Sequence, residues 1–221
     1  MPEGRRTNPF QSLLKLNPLR GGDGERRRVM SRSRIISTAF FILLIAILVI
    51  PAFSEEGKFT LTSPDIPKKA NMKDAQVFSG FGCSGQNISP ALAWKNFPPE
   101  TKSFALMVHD PDAPTGSGWW HWVVYNIPAK VSSLPAGAGK TDGSLLPQGA
   151  MQSNTDFGGP GYGGPCPPVG DKPHRYVFTI FALKVEKLQL PPNASGAMVG
   201  FVVRQNAIGK ASLTGYYGRA K

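Results

Sequence analysis

The stretch SFALMVHDPDAPTGSGWWHWVVYNIP, residues 103–128, decides the fold. Residues 103–109 are almost continuously apolar, which predicts a strand that is buried on both faces. The two prolines of the following DPDAP cannot continue a central strand, so the first strand must end there. Residues 119–127 form a second apolar run between a glycine and a proline. This run predicts a second long strand.

The rest of the chain follows the same pattern. Residues 174–183, HRYVFTIFAL, predict a third long strand, and shorter strands are expected at 59–62, 91–94 and 213–217. The 25 glycines and 21 prolines are typical of a protein made of strands, turns and loops. We therefore predict an all-β dominated fold with a few short helices, in one domain over residues 55–221.

Residues 194–208 are the one good helix candidate. Asn193 is the expected N-terminal cap, and Gly209 follows the expected end of the helix. Four residues fall near one face of this helix: Met198, Val202, Gln205 and Ile208.

The N-terminal part of the chain has the composition of a targeting segment. Residues 1–34 carry nine Lys or Arg and three Asp or Glu, which predicts a basic, disordered extension. Residues 35–54 carry no charge, and their most apolar part spans twelve residues, 39–50. That length fits a signal peptide better than a membrane span of about 20 residues. We expect cleavage after Ser54 and a periplasmic or secreted protein, with a membrane anchor as the alternative; translation could start at Met1 or at Met30.

The net charge of +11 is divided between two parts of the chain. Six of these charges lie in residues 1–34 and five in residues 55–221, where the basic residues are scattered. A surface that follows nucleic-acid phosphates needs a stripe of Lys and Arg. The sequence therefore argues against a nucleic-acid partner.

The chain has two cysteines, Cys83 and Cys166. An even number in an oxidising compartment favours a disulfide, which would close a loop of about 84 residues and stabilise the fold by roughly 4 kcal/mol. Two separate thiols are the alternative, because spacing alone does not show that the residues meet. Two cysteines without CxxC spacing are poor evidence for zinc.

Polar side chains cluster at the predicted ends of the buried strands. Asp110 and Asp112 follow the first strand, His121 opens the second, and His174 and Tyr176 open the third. Two imidazoles and a phenol form an anion-binding set, and a neighbouring carboxylate orients an imidazole and favours its charged form. These residues predict a pocket for a small anion, with no cofactor.

Other chemistries are less well supported by the same residues. A hydrolase lacks its G-x-S-x-G nucleophile motif, since Gly82-Cys83-Ser84-Gly85 has the wrong spacing. A metal site would use the five residues His109, Asp110, Asp112, His121 and His174, but no H-E-x-x-H helix is present. Inhibition of a kinase or protease through the same cleft is a further alternative. A homodimer is also compatible with the sequence.

Four segments together resemble the phosphatidylethanolamine-binding protein family, in its bacterial, Raf-kinase-inhibitor-like branch. They are VHDPDAPTGSGWWHWVVYNIP, GYGGPCPP, HRYVFTIFAL and GCSGQNISPALAW, and the resemblance runs from about residue 59 to 218. It implies a β-sandwich-like domain with a small pocket for phosphate-like or carboxylate anions, including a phospholipid headgroup. A protein partner is compatible with this family, and we expect membrane contact only through the N-terminal apolar segment. Kinase regulation is not transferred, because function lies in sites rather than in folds.

The resemblance also implies a set of pocket residues by motif position: Asp110, Asp112, Ala113, Pro114, Trp119, His121, Gly164, Cys166, Pro167, Pro168, His174 and Tyr176. The chain departs from the family at Cys166, where many members have glycine, and this supports the bridge to Cys83. The C-terminal pocket helix of eukaryotic members has no clear counterpart after Gly215.

Overall fold

The computed structural model describes residues 57–67 and 70–221. The predicted extension over residues 1–34, the apolar segment 35–54 and the expected cleavage site lie outside the described residues. The described part contains ten strands and one helix: β1 Thr60–Thr62, β2 Ser79–Gly80, β3 Cys83–Ser84, β4 Leu92–Lys95, β5 Ser103–Asp110, β6 Trp119–Pro128, β7 Ser133–Leu134, β8 Met151–Gln152, β9 His174–Leu183, α1 Gly196–Asn206 and β10 Ala207–Tyr217.

The strands form one large antiparallel sheet and two smaller ones. The large sheet has the order β10-β9-β5-β6-β8, so the three long apolar strands predicted from the sequence lie side by side at its centre. A second sheet has the order β1-β4-β7, and β2 pairs with β3 in a short hairpin. The strand-dominated fold predicted from the sequence is confirmed.

The central strands are nearly continuously apolar because both faces of the large sheet are covered. Side chains alternate along a strand, so Phe104, Leu106 and Val108 of β5 enter one core cluster, which also includes residues of β1 and β4. Ala105 and Met107 enter a second cluster beneath α1. The large sheet is thus the middle layer between the smaller sheet and the helix.

The predicted helix exists, but its cap and its buried face differ from the prediction. The N-terminal cap is Ser195, whose hydroxyl accepts a hydrogen bond from the N–H of Met198 at 3.2 Å, so the assignment of Asn193 was wrong. Met198 lies on the predicted face but is 46% exposed. The buried residues are Gly196, Val199, Gly200 and Val203.

Close packing of α1 on the sheet explains this difference. A Cβ at Gly196 would lie 2.6 Å from the ring of Trp120, and one at Gly200 would lie 3.1 Å from Met107. The helix therefore approaches the sheet through glycines, which a hydrophobic pattern does not mark as buried positions.

The last strand is also longer than predicted. β10 begins at Ala207, directly after α1, and pairs with β9 along its whole length, whereas the sequence indicated a strand only over residues 213–217. Gly209 and Lys210 interrupt the apolar pattern there, but the pairing with β9 satisfies their backbone groups.

Within the described ranges, no helix is both long and apolar enough to cross a membrane.

Candidate ligand-binding site

The register of the sheet brings the predicted polar residues to one edge. β5 ends at Asp110, which pairs with Trp119 at the start of β6, and β9 begins at His174 beside the same end of β5. A cavity of about 180 Å³ lies at this edge. Ten of the predicted site residues line it: Asp110, Ala113, Pro114, Trp119, His121, Cys166, Pro167, Pro168, His174 and Tyr176.

Asp110 and His174 form a buried pair at the bottom of the site. Nδ1 of His174 lies 2.8 Å from Oδ2 of Asp110, and Oδ1 of Asp110 accepts the backbone N–H of Asp112 at 2.8 Å. The other ring nitrogen of His174, Nε2, lies 3.4 Å from Oδ2 of Asp171. Both nitrogens of His174 therefore face protein carboxylates, and this residue positions Asp110 rather than offering a nitrogen to a ligand.

His121 is held in one tautomer. Its Nδ1 lies 2.6 Å from the carbonyl oxygen of Gly163, and because a carbonyl oxygen can only accept, Nδ1 must carry the hydrogen. Burial lowers the pKa of His121 to about 4, although the bond to Gly163 and the charge of Asp110 oppose this shift. At neutral pH the ring is therefore uncharged and Nε2 carries a lone pair.

Nε2 is the free nitrogen of His121. In the described part of the chain, no hydrogen-bond partner lies within reach of it, and it is not among the fully buried atoms without a partner. Since His121 lines the cavity, this nitrogen is the one that a ligand can contact.

Tyr176 contributes a hydroxyl next to His121. The two rings meet edge to face with their centroids 5.0 Å apart, and Tyr176 lines the cavity. Burial raises the pKa of Tyr176 well above its usual value, so the hydroxyl keeps its hydrogen and can donate to a ligand.

The mouth of the cavity is aromatic. Phe81 and Phe157 stack with their ring centroids 6.0 Å apart, and Trp119 meets Phe157 edge to face at 5.6 Å. Phe81 is 68% exposed. Three further residues that the sequence did not indicate also line the cavity: Phe81, Thr115 and Phe157. The position of Phe81 in a glycine-rich loop next to Cys83 could have indicated it, and Phe157 likewise stands directly before Gly158 and Gly159.

The predicted disulfide between Cys83 and Cys166 is formed, with the two Cα atoms 6.0 Å apart. It ties the hairpin that carries Phe81 to the loop 163–168 on the other wall of the cavity. Arg219 joins the same two walls, because its guanidinium donates to the carbonyl oxygens of Pro167 at 2.6 Å and Gly82 at 3.1 Å.

Two of the predicted site residues do not line the cavity. Asp112 instead accepts three hydrogen bonds from Arg175, at 3.0 Å from its backbone N–H and at 2.8 Å from both Nε and Nη2. These bonds lower the pKa of Asp112 to about 2. Gly164 packs against backbone, where an added Cβ would overlap the carbonyl oxygen of Gln76, and its N–H donates to Asn87. Asp112 and Gly164 therefore stabilise the walls of the site and do not line the cavity.

The residues considered for a metal site do not assemble as one. Nε2 of His109 lies 3.1 Å from the carbonyl oxygen of Ser117, and its ring packs on Trp120, away from the residues that line the cavity. Over residues 57–67 and 70–221, no three His, Cys, Asp or Glu side chains are grouped to hold a metal ion.

Comparison with known proteins gives consistent matches over the same region. A family model described as "Phosphatidylethanolamine-binding protein" matches residues 62–218. The chain is 50% identical over 177 residues to the UPF0098 protein YbcL of Escherichia coli strain K12, an alignment that covers 80% of this chain and 97% of the other. It is 48% identical over 157 residues to YbhB of the same organism, covering 71% and 98% of the two chains.

Two solved structures share the fold. The crystal structure of Escherichia coli YbcL, described as a new member of the mammalian PEBP family, superposes with a TM-score of 0.71 at 53% identity and covers 73% of this chain and 98% of that one. A PEBP homologue from Chlamydia trachomatis superposes with a TM-score of 0.61 at 31% identity, with the same coverage of 73% and 98%.

Proposed function

The chain belongs to the phosphatidylethanolamine-binding protein family, and on that basis we propose that its cavity binds a small anionic group of the phosphate or carboxylate type without converting it. The observation that carries this proposal is the meeting of Tyr176, His121 and the Asp110–His174 pair in one cavity. These residues come from three separate strands, and each has a polar atom at the same edge of the sheet.

The size of the cavity favours a headgroup-sized ligand. Its volume of about 180 Å³ corresponds to roughly six water molecules at about 30 Å³ each. Pockets for drug-sized ligands are larger, at about 300–1,000 Å³. A phosphate with a short substituent fits this volume, whereas the acyl chains of a lipid would have to stay outside.

Hydrogen-bond donors are available at the cavity wall. The Tyr176 hydroxyl is one, and the backbone N–H of Cys166 is the only N–H in Pro165-Cys166-Pro167-Pro168, since proline has none. The rings of Phe157 and Trp119 form an apolar part of the cavity wall. Polar contacts made next to such a wall are stronger than the same contacts in open solvent.

We also propose that the protein acts outside the cytoplasm. The disulfide between Cys83 and Cys166 supports this location, because disulfides persist in oxidising compartments and are rare in the cytosol. Sequencing the N-terminus of exported protein tests it. The expected first residue is Glu55, and a start before Ile35 would contradict cleavage.

The binding proposal is tested by calorimetric titration with inorganic phosphate and with O-phosphoethanolamine. We expect wild-type protein to bind and Tyr176→Phe to bind at least tenfold more weakly, because a hydrogen bond to a charged group contributes about 1.5–3 kcal/mol. Tyr216→Phe is the matched control, since this tyrosine is partly exposed and does not line the cavity. Absence of binding by the wild type, or equal binding by the two variants, would overturn the proposal.

A further inference from the structure

Two polar side chains of the cavity, His121 and Asp110, present lone pairs, although an anion needs hydrogen-bond donors. Nδ1 of His121 donates to Gly163, so the remaining nitrogen, Nε2, is an acceptor. Asp110 adds a carboxylate, and a carboxylate only accepts. Tyr176, whose ring meets that of His121, keeps its hydrogen and can donate. The polar lining therefore matches a ligand that brings a hydrogen of its own.

A fully ionised oxyanion lacks such a hydrogen. All oxygens of sulfate or of a phosphodiester are acceptors, so one of their lone pairs would face the lone pair of Nε2. Leaving a buried acceptor unpaired costs about 1–3 kcal/mol. The cavity should therefore discriminate between anions of equal charge according to whether they carry a proton.

We propose that the cavity selects an oxyanion that carries one proton, of the phosphate monoester class, and that this proton is hydrogen-bonded to Nε2 of His121. This inference rests on the anion-binding function proposed above and specifies its ligand. A phosphate monoester has a second pKa of about 6, so a monoprotonated form exists near neutral pH. The phosphate of an intact phospholipid is a diester and has no proton to donate.

The charged groups around His121 favour a proton near its Nε2 atom, but burial keeps the ring itself uncharged. Asp110 at the end of β5 and Asp156 in the loop after β8 both favour a proton near His121, while His109 opposes one. Phe157 and Tyr176 cover the ring at centroid distances of 5.3 Å and 5.0 Å. Their burial of the ring holds its pKa near 4, so the proton is expected to arrive with the ligand.

The test compares methyl phosphate with dimethyl phosphate by calorimetry. At pH 5.5 both carry close to one negative charge, but only methyl phosphate has a proton, because its second pKa is about 6. We expect methyl phosphate to bind at least tenfold more tightly. Raising the pH to 7.5 should weaken its binding by about tenfold or more, as the monoprotonated form is depleted, and should not strengthen binding of dimethyl phosphate.

Variants connect this selectivity to His121. A glutamine side chain offers both a donor and an acceptor, so His121→Gln should reduce the difference between the two phosphates to less than about threefold. His109→Gln, outside the cavity, should keep it. O-phosphoethanolamine and glycerophosphoethanolamine, a monoester and a diester with the same amine, separate a free metabolite from a lipid headgroup, and we expect only the first to bind well.

The outcomes distinguish this inference from the function on which it rests. Dimethyl phosphate binding as tightly as methyl phosphate to wild-type protein, or selectivity that survives in a folded His121→Gln variant, would overturn the inference and leave anion binding in place. If no anion binds, or if methylammonium binds and the phosphates do not, both proposals fail. The wild-type comparison stands on its own even if His121→Gln does not fold.

Discussion

The carboxylate of Asp110 lies 2.8 Å from Nδ1 of His174, although 64 residues separate them in the chain. Asp110 is 3% exposed and His174 is 2% exposed, so this contact is made away from water. The pair exists because the end of β5 and the start of β9 are neighbours in the antiparallel sheet. It joins two of the three long strands at the edge where the cavity lies.

The first prediction concerns this pair. Asp110→Asn should destabilise the protein by about 2–4 kcal/mol and abolish detectable phosphate binding, because it removes the buried carboxylate that pairs with Nδ1 of His174. Urea unfolding and calorimetric titration measure the two effects.

Asp112→Asn is the matched control for Asp110→Asn. Asp112 pairs with Arg175, and although the Asp112 side chain is only 12% exposed, that of Arg175 is 51% exposed. Solvent therefore screens the pair, and we expect it to contribute at most about 1 kcal/mol. We expect a loss below that value and anion affinity within about twofold of wild type. Equal effects of the two substitutions would contradict the assignment of Asp110 to the cavity and of Asp112 to the pair with Arg175 outside it.

The second prediction is a pH dependence of stability that comes from His121. Burial lowers the pKa of His121 in the folded protein to about 4, from an ordinary value of 6.5. Between these values the unfolded chain binds the proton and the folded protein does not, so stability falls as the pH falls from 6.5 to 4. The contribution of one such group approaches about 1.4 kcal/mol per pH unit.

Urea unfolding between pH 7 and pH 4 measures this dependence. His121→Phe should lose stability less steeply than wild type on acidification, whereas His109→Phe should keep the wild-type slope. A wild-type slope in His121→Phe would show that other groups account for the acid sensitivity.

The third prediction concerns the disulfide. Replacing Cys83 and Cys166 together by serine should lower the free energy of unfolding by roughly 4 kcal/mol at most, because the bridge closes a long loop in the unfolded chain. Anion affinity should also fall, since the hairpin that carries Phe81 is no longer tied to the opposite wall. Unfolding with and without dithiothreitol gives the same comparison in wild-type protein, and insensitivity to the reductant would argue against a stabilising bridge.

The fourth prediction separates two glycines of the same region. Gly164→Ala should destabilise the protein by about 1–3 kcal/mol or more, because the added methyl group meets the backbone of residues 76–78. Gly159→Ala should change stability by less than about 0.5 kcal/mol, since nothing lies within 4 Å of the added Cβ. Thermal unfolding of both variants decides whether Gly164 is required for packing.

The long strands could be predicted from the sequence because a strand that is buried on both faces is a nearly continuous run of apolar residues. The predicted third strand matches β9 at both ends, and β5 extends only one residue beyond its prediction, to Asp110. The face of α1 was assigned wrongly, because Val199 and Val203 are the only apolar marks of the buried face of this helix and Gly196 and Gly200 add no hydrophobicity to it. Gly196 and Gly200 nevertheless form the contact with the sheet.

The candidate site was predictable to the extent that it lies in motifs at strand ends. Asp110, His121, His174 and Tyr176 stand where long strands begin or end, and the register brings such positions together. The sequence did not show that Asp110 lines the cavity and Asp112 does not. This difference depends on the bonds between Asp112 and Arg175, a residue distant in sequence. Phe157 was missed for a similar reason, since its place against Phe81 and His121 results from the path of a long loop.

A crystal structure of the protein with O-phosphoethanolamine at about pH 6 tests the central claim most directly. We predict that the phosphate occupies the cavity, with one oxygen within hydrogen-bond distance of Nε2 of His121 and another within reach of the Tyr176 hydroxyl. A phosphate bound elsewhere on the surface, while His121 and Tyr176 contact only water, would contradict the account.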